Sequence, residues 1–516
     1  MELSVILSLV MFTVFMVLIL TGYNVAFSFV STALAFSFIG DLTGTFDPNT
    51  LNVLPGRWQA ALEDQTLLAV PLFVLMGAIL ERSGLAERLL NAIGMLMGPL
   101  RGGVAAAVVV VGTLLAAATG VVAATVIVMG LLSLPSMVKL GYDNKLSTGV
   151  IIASGTLAQM LPPSLVLILL AQQLGVGILG LFAGALIPGL IMSGLYIAYA
   201  LGISYLRPHL GPAMPKEQRT LHGKVSVLTA AKIALPMSLM IGLVMLMMSP
   251  QVALVTVPII FVVLFALMAI RGMLATEVLV SIVPILVLII GVLFSIFQGI
   301  ATPSESGSVG VLGALMLACL NWYVDKLLAK EGAAHATLEW RLTPKALKEA
   351  GTSTLNIVVL VMTLLVSSTF FSQMFFQLGG SDQTSEWLTA VGGGKYGFVA
   401  VAMVAVFLLG INLEFLEITF IVVPIFVPAM EAMGFSSVEK VWFAVLMAVN
   451  LNMAFISPPV GFSLFYLQSV KPPEVSTADI HKGAFPFMAL QGIAIVIFAV
   501  FPGITEFSYT FFSGAS

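Results

Sequence analysis

The sequence predicts an all-α polytopic membrane protein with about 12 transmembrane helices and two re-entrant hairpins, arranged in inverted repeats. Three observations lead to this fold class. The 516 residues are 59% hydrophobic and only 9% charged, a composition too apolar for a soluble domain. Apolar runs long enough to cross the hydrocarbon core recur along the whole chain. Two of these runs are interrupted at corresponding positions of the two halves.

The second of these observations, the recurring apolar runs, sets the predicted number of crossings. A transmembrane helix needs about 20 mainly apolar residues. The predicted spans lie near 4–21, 24–40, 67–81, 148–171, 178–204, 233–248, 252–270, 278–300, 308–324, 352–378, 443–468 and 484–503.

The interrupted segments, 103–138 and 397–430, are predicted to be hairpins that leave the membrane on the side they entered. Each is followed by a span broken by two prolines, Pro162-Pro163 in the first half and Pro458-Pro459 in the second. Backbone broken at membrane depth is tolerated only where it is buried in protein or lines a cavity. Paired breaks in two halves therefore indicate the binding site of a secondary transporter.

This plan divides the chain into five predicted parts. They are N-terminal scaffold helices with an outer loop (1–66), a first inverted repeat (67–204), cytoplasmic loops with scaffold helices (205–350), a second inverted repeat (351–468) and a C-terminal helix (469–516).

Lysine and arginine set the predicted orientation. With the N-terminus outside, 18 of the 21 basic residues face the cytoplasm and only Arg57, Lys395 and Lys440 lie outside. The first hairpin then enters from the cytoplasm and the second from the outside. The two repeats therefore have opposite topology, which is the arrangement that supports alternating access.

The first candidate site combines the hairpin tip with the broken span that follows it. Thr119 and Gly120 form the tip, and the broken span adds Ser154, Gly155, Thr156, Pro162 and Ser164. Hydroxyl and carbonyl oxygens suit a hard cation such as Na⁺, and nearby helix N-termini suit a carboxylate. Small residues also allow close helix packing, but the broken partner span and its second copy favour a site.

The second candidate site repeats this arrangement. Gly410, Asn412 and Glu414 form its tip, opposite Asn450, Asn452, Ser457, Pro458 and Gly461. Glu414 and Glu417 either hold backbone freed by the helix break or handle an ion or proton directly, and the sequence leaves both roles open. Glu305 lies near the outer surface, where capping of the next helix is the expected role.

Other function classes fit poorly. The histidines, His209, His222, His335 and His481, all fall in predicted cytoplasmic loops, so an enzyme active site at membrane depth is hard to assemble. The chain has no phosphate-binding loop, one cysteine (Cys319) and a net charge of −3. ATP hydrolysis by this chain, a disulfide and nucleic-acid binding are therefore not expected.

Several stretches together resemble the large membrane subunit of tripartite ATP-independent periplasmic (TRAP) transporters, in its longer-chain branch. The matching stretches are VPLFVLMGAILERSGLAERLL (70–90), LRGGVA (100–105), ATGVVAATVIVMG (118–130), LPSMVKLGY (134–142), SGTLAQMLPPS (154–164), FAGALIPG (182–189), GIATPSES (299–306) and NMAFISPPVGFSLFYLQ (452–468). They span nearly the whole chain, and in combination they are specific.

The resemblance implies an elevator-type, sodium-driven importer of organic acids in the bacterial inner membrane. It also implies two partners, a small four-helix membrane subunit and a periplasmic substrate-binding protein, and no cofactor beyond the coupling Na⁺. The expected cation ligands are Thr119, Gly120, Gly155, Thr156, Pro162, Gly410, Asn412, Asn452, Ser457, Pro458 and Gly461. The expected substrate contacts are Thr119, Ser164, Asn450 and Glu414. A self-sufficient ion-coupled carboxylate carrier without a binding protein is the alternative.

Overall fold

The fold is helical throughout the part of the chain that the structure describes. The computed structural model describes residues 2–64, 67–215, 225–248, 250–330 and 341–513, with side chains at all of these except 244–256 and 269–275. No strand occurs within these ranges. The predicted all-α membrane fold is confirmed.

The first repeat contains a helix that bends into an arm, a hairpin, a broken helix and a long closing helix. In order these are α4 (Ala69–Arg82), α5 (Leu85–Met97), α6 (Gly103–Thr119), α7 (Val122–Lys139), α8 (Asn144–Thr156), α9 (Leu165–Leu174) and α10 (Ile178–Leu206). A short 3-10 turn, Leu157–Gln159, follows α8. The arm α5 turns away from α4 by 63°.

The second repeat has the same order of elements. They are α14 (Pro344–Gln377), α15 (Gly380–Thr389), α16 (Gly394–Gly410), α17 (Phe415–Ile421), α18 (Val423–Ala432), α19 (Ser437–Phe455), α20 (Phe462–Val470) and α21 (Thr477–Val500). The second hairpin differs in its outer arm, which is split into α17 and α18 with a 43° bend. Pro424, the second residue of α18, provides the reason, since proline lacks the N–H that would continue the hydrogen-bond ladder.

Both predicted hairpins return to the side of the membrane from which they start. At the base of the first, the Val104 N–H donates to the Tyr142 hydroxyl at 3.2 Å, which joins the start of α6 to the residues after α7. At the base of the second, Lys395 Nζ donates to the Gly434 carbonyl at 3.0 Å and pairs with Glu439 at 2.6 Å. Each hairpin therefore closes on itself instead of crossing.

The remaining helices surround the repeats. They are α1 (Leu3–Leu20), α2 (Val25–Leu42), α3 (Leu54–Leu62), α11 (Val227–Met248), α12 (Pro250–Phe297), α13 (Pro303–Lys330) and α22 (Gly503–Ser513), with a 3-10 turn at Pro48–Val53. The rings of Phe15, Phe29 and Phe371 pack together where α1 and α2 meet α14. The indole N–H of Trp58 donates to the Val366 carbonyl at 3.1 Å, which fixes α3 against α14.

One buried ion network anchors the arm α5. Arg88 donates to both carboxylate oxygens of Glu277 on α12, at 2.8 and 3.1 Å. Its remaining nitrogen reaches Asn321 at 2.8 Å and Asp325 at 3.1 Å, both on α13. The network therefore ties the arm before the first hairpin to two helices outside the repeat.

The long apolar helices do not correspond one to one to the 12 predicted crossings, because they include arms of the two hairpins, such as α7 and the pair α17–α18. Among the described residues, nine helices are long and apolar enough to cross a membrane, or up to 12 when each bent pair counts as one span. The predicted break between the spans 252–270 and 278–300, which would place Arg271 in a cytoplasmic turn, is wrong, because α12 continues from Pro250 to Phe297 without a break. Residues 269–277 contain one glycine, no proline and mainly good helix formers, so nothing in them stops the helix.

The C-terminal part, predicted as one helix, contains two helices, α21 and α22. A straight α12 of 48 residues would be about 72 Å long, more than twice the hydrocarbon thickness, so it does not fit one perpendicular crossing. Several predicted cytoplasmic residues lie outside the described residues, namely Lys216, Arg219, Lys224, His222 and His335, and so does the predicted boundary at residue 66.

Candidate ion and substrate site

The tip of the first hairpin lies directly against the first broken helix. Gly120 ends α6 in the left-handed conformation, with φ of 62°, and a Cβ at this position would lie 3.1 Å from the Pro163 carbonyl oxygen. On the other side of the tip, a Cβ on Gly77 of α4 would lie only 2.5 Å from the Cα of Thr119. Glycine is needed at both places for the backbones to approach this closely.

The first broken helix packs along both arms of the hairpin, with Ser154 beside Gly112 of α6 and Gly155 beside Val126 of α7. Ser154, Gly155, Thr156, Pro162 and Ser164 are all buried. Their three hydroxyls donate to backbone carbonyls of their own segment: Ser154 to Ile151 at 3.2 Å, Thr156 to Ala153 at 2.9 Å and Ser164 to Gln159 at 3.0 Å. A hydroxyl whose proton is used in this way still has oxygen lone pairs available for a cation.

Gln159 is a polar residue of this break that sequence reasoning missed. Its side chain is fully buried, and neither its amide oxygen nor its amide nitrogen has a hydrogen-bond partner. A buried amide without partners costs free energy, so such a group calls for a ligand or another functional explanation. The sequence feature that could have identified Gln159 is an amide three residues before the proline pair, inside an otherwise apolar run.

The second site shows the same feature at Asn452. This residue is fully buried, and both polar atoms of its side chain lack a hydrogen-bond partner. Asn452 precedes its proline pair by six residues, as Thr156 does in the first repeat. Its neighbour Asn450 donates to the Met403 carbonyl of the second hairpin at 2.6 Å, which holds hairpin and broken helix together.

The other predicted residues of the second site are only partly brought together. A Cβ on Gly410 would lie 2.8 Å from the Cβ of Ala454, so this part of the tip packs against the broken helix. Ser457 is buried, and the Gly461 N–H donates to its carbonyl at 2.9 Å. Asn412, in contrast, is exposed, and Pro458 is half-buried.

The carboxylates at the second tip form a helix cap. The Glu414 N–H donates to Glu417 Oε2 at 2.9 Å, and the Glu414 side chain in turn accepts from the backbone N–H of Glu417. The Tyr466 hydroxyl also donates to Glu414 Oε1, at 3.2 Å. Backbone support, one of the two roles left open by the sequence, is therefore present in the structure.

Glu305 has the expected capping role. Its carboxylate accepts from the Thr302 N–H at 2.7 Å, while the Glu305 N–H contacts the Thr302 hydroxyl at 3.3 Å. This reciprocal pair begins α13, so the prediction of a cap is confirmed.

The two halves form one continuous body around the breaks. The segment α9, after the first break, packs against α17, α18 and α19 of the second repeat. The segment α20, after the second break, packs against α7 and α8 of the first repeat. Each half therefore contributes to the surroundings of the other half's hairpin.

A cavity of about 220 Å³ opens beside the first tip. Thr119 lines it together with Gly77, Glu81 and Arg82 of α4 and Ser353 of α14. Arg82 is held at its mouth by a 3.4 Å hydrogen bond to the Ser353 hydroxyl and by Glu81 and Glu349 at 3.9 and 4.0 Å. Within the described ranges, no group of three or more histidine, cysteine or acidic side chains is placed to hold a metal ion.

Two hairpins facing two broken helices in a body of repeated helices define a membrane transport protein. A match to the family described as "Tripartite ATP-independent periplasmic transporter, DctM component" covers residues 12–274 and 271–504. The chain belongs to this family, and the resemblance found in its motifs is confirmed. The family consists of transport proteins, in agreement with the prediction that the chain is not an enzyme.

Curated relatives support this assignment over most of the chain. The C4-dicarboxylate TRAP transporter large permease protein DctM of Pseudomonas aeruginosa is 25% identical over 89% of this chain and 90% of its own length. The sialic acid TRAP transporter permease protein SiaT of Haemophilus influenzae is 24% identical over 96% of this chain and 67% of its own. The isethionate TRAP transporter permease protein DctMQ of Oleidesulfovibrio alaskensis is 25% identical over 87% of this chain and 58% of its own length.

A solved structure shares the fold at low identity. The YdaH transporter of Alcanivorax borkumensis matches with a TM-score of 0.57 and 14% identity, over 89% of this chain and 90% of that one. This likeness shows the fold alone.

Proposed function

We propose that this chain is the transport subunit of a Na⁺-coupled secondary importer of carboxylates or related small organic solutes in the bacterial inner membrane. The observation that carries the proposal is the fully buried amide of Asn452, with no partner for either polar atom, beside a helix break that meets a hairpin tip. A buried polar group without a partner calls for an explanation, and a bound ligand is one that fits this position. The membrane-depth position makes a transported ligand the natural candidate.

The surroundings suit Na⁺ as the coupling ion. Helices α8 and α19 end at the two breaks, and a helix C-terminus carries partial negative charge that favours a cation. The oxygens available there are the Asn452 amide, the Thr156 hydroxyl and the freed carbonyls of the breaks. Hard cations prefer such uncharged oxygens over nitrogen or sulfur ligands.

An acidic substrate suits the opposite ends of the breaks. Helices α9 and α20 begin immediately after the two breaks, and a helix N-terminus favours an anion. The relatives are named for C4-dicarboxylates, sialic acid and isethionate, which all carry an acidic group. We place the substrate between the two breaks, with Thr119, Ser164, Asn450 and Glu414 as its contacts.

An elevator movement of the hairpin body explains how this site reaches both sides. The cavity beside Thr119 runs toward Arg82, at the end of α4 that the positive-inside rule assigns to the cytoplasm. We therefore interpret the structure as an inward-open state. In the outward-open state the same body would present the second hairpin to the periplasm.

Two partners complete the proposal: a small four-helix membrane subunit and a periplasmic substrate-binding protein. Relatives are named as large permease proteins of TRAP transporters, and the chain spans only 58% of the relative named DctMQ. Both facts favour a second membrane subunit, separate or fused. A self-sufficient carrier would need neither partner, so reconstitution with each component left out separates the two possibilities.

The decisive experiment measures uptake in proteoliposomes that contain this chain and both candidate partners, under an imposed Na⁺ gradient. Succinate, sialic acid and isethionate serve as radiolabelled probes. Wild-type uptake should require Na⁺ and all three components. Uptake by this chain alone would refute the tripartite part of the proposal, and uptake that ignores Na⁺ would refute the coupling.

The Asn452→Ala variant tests the ion site, with Asn52→Ala, at an exposed position, as the matched control. The Na⁺ concentration for half-maximal uptake should rise about tenfold in Asn452→Ala, equivalent to roughly 1.4 kcal/mol of lost binding. Thermal stability without Na⁺ should not fall, because the amide makes no hydrogen bond that the substitution could break. An unchanged Na⁺ dependence would exclude Asn452 as a ligand.

A further inference from the structure

A second cavity, of about 180 Å³, lies at the other end of α14 and contains a single cationic side chain. Arg57 of α3 lines it together with Ser372 of α14 and Ser381 of α15. The opposite wall is the outer arm of the second hairpin, from Ile421 to Pro428. The cavity therefore lies between a helix fixed to α14 and the hairpin body.

This cavity is at the opposite membrane face from the one beside Arg82. Ser353 lines the inner cavity and Ser372 the outer one, and 19 residues of the same helix separate them. At 1.5 Å per residue that distance is about 28 Å, close to the thickness of the hydrocarbon core. Arg57 is thus at the outer end if Arg82 is at the cytoplasmic end.

The polar groups of the outer cavity are free donors. In the part of the chain that the structure describes, the side chains of Arg57, Ser372 and Ser381 make no hydrogen bond or ion pair with other residues. The two other basic residues assigned to the outside are paired, Lys395 with Glu439 at 2.6 Å and Lys440 with Glu431 at 3.5 Å. The Arg57 guanidinium is therefore the outer-face cation whose charge is left for a ligand.

The shape and chemistry of the cavity specify an organic anion. A guanidinium presents two parallel N–H groups that match a carboxylate, and the two hydroxyls add further donors. The buried rings of Phe371 and Phe375 provide an apolar wall for a carbon skeleton. A charge beside such a wall is screened less than one in open water.

The geometry points to Arg57 as the capture residue that first binds the carboxylate of an incoming solute on the outer face, before the solute passes to the breaks. The cavity follows about 10 Å of the hairpin arm between Ile421 and Pro428 and leads toward the tip at Glu414. This inference rests on the proposed function. Arg57 acts on entry and belongs to neither of the two candidate ion sites.

The test compares Arg57→Gln with Lys440→Gln, which removes the same charge from the same face outside the cavity. In the complete proteoliposome system, kcat/KM for the probe that the wild type takes up should fall on the order of tenfold in Arg57→Gln, and much less at high salt. Lys440→Gln should stay within about twofold of wild type. A thermal unfolding scan of each variant checks that the fold is retained.

Charge restoration makes the test specific. In a Cys319→Ser background, Arg57→Cys is treated with a trimethylammonium-ethyl or a sulfonatoethyl methanethiosulfonate. The cationic reagent should restore uptake, the anionic one should lower it further, and added substrate should slow both modifications. Uptake that is unaffected by Arg57→Gln would overturn the inference and leave the proposed function intact.

Two other outcomes count against the inference in recognisable ways. A defect that appears in liposomes with anionic lipid and disappears in pure phosphatidylcholine would assign Arg57 to a lipid headgroup. Absence of Na⁺-driven uptake of all three probes by the wild-type chain with both partners would refute the proposed function, and the capture role with it.

Discussion

Replacing Arg88 by alanine is expected to destabilise the protein more than any single change to an exposed charge. The guanidinium is 7% exposed and contacts Glu277, Asn321 and Asp325 at distances of 2.8 to 3.1 Å. Removing it takes the shared charged donor away from acceptors on two helices. Breaking a buried ion pair from one side typically costs about 3–5 kcal/mol.

The neighbouring residue provides a matched control. Glu87 pairs with Arg341 at 2.6 Å, but these side chains are 45% and 39% exposed. An exposed ion pair contributes about 0–1 kcal/mol, because water and salt screen it. Arg341→Ala therefore removes the same kind of charge from an exposed partner of the same arm, with little expected effect.

These free energies translate into measurable shifts of the unfolding temperature. An unfolding entropy of about 2.1 cal/mol/K per residue gives about 1.1 kcal/mol/K for 516 residues. Arg88→Ala should lower the Tm by about 3–5 °C and Arg341→Ala by no more than about 1 °C. Intrinsic tryptophan fluorescence in detergent follows both transitions.

A double variant checks that the effect belongs to the network. Arg88→Ala combined with Glu277→Ala should cost clearly less than the sum of the single changes, because each single change already breaks their shared contacts. Equal Tm shifts for Arg88→Ala and Arg341→Ala would refute the reasoning, and so would additive shifts in the double variant.

Two further predictions concern close packing and a buried hydrogen bond. Gly77→Ala should cost about 1–3 kcal/mol and reduce uptake, because its Cβ would lie 2.5 Å from the Cα of Thr119; Gly194→Ala, with open space around it, should be neutral or stabilising. Uptake and Tm of the two variants, measured side by side, check this, and equal effects would contradict it. Trp442→Phe removes the 2.7 Å hydrogen bond from the indole N–H to the Phe498 carbonyl and should lower the free energy of unfolding by about 1–3 kcal/mol. A thermal unfolding scan measures this, and an unchanged Tm would show that this bond does not hold α19 to α21.

The sequence was informative where the backbone itself had to break. The hairpin at 103–138 and the proline pairs were readable because membrane-depth breaks require glycine, proline or small polar residues. The structure places helices α6 and α7 at Gly103–Thr119 and Val122–Lys139, within a residue of the predicted limits. Repetition of the pattern in the second half strengthened each single signal.

The sequence was uninformative where a side chain finds its partner at long range. Arg88 pairs with Glu277, 189 residues further along the chain, and no local pattern records that pairing. Gln159 was missed because a single amide in an apolar segment does not by itself indicate a site. Only its burial and its lack of hydrogen-bond partners do so. The turn at Arg271 failed for a different reason, since a charged residue between apolar runs also fits a continuous helix.

The two cavities differ in the charge that they offer to a ligand. This difference affects the rate of transport and not the direction in which the solute moves across the membrane. Arg82 at the inner mouth is already engaged by Ser353, Glu81 and Glu349, while Arg57 at the outer mouth has no such partner among the described residues. An anion should therefore be captured outside and released inside without a second cationic trap. Residues of the carrier cannot shift the equilibrium of a solute across the membrane, because both faces bind it reversibly. Under the proposed Na⁺ coupling, net import comes from the coupled ion, so removing the Arg57 charge should slow uptake without changing the accumulation finally reached at a given Na⁺ gradient.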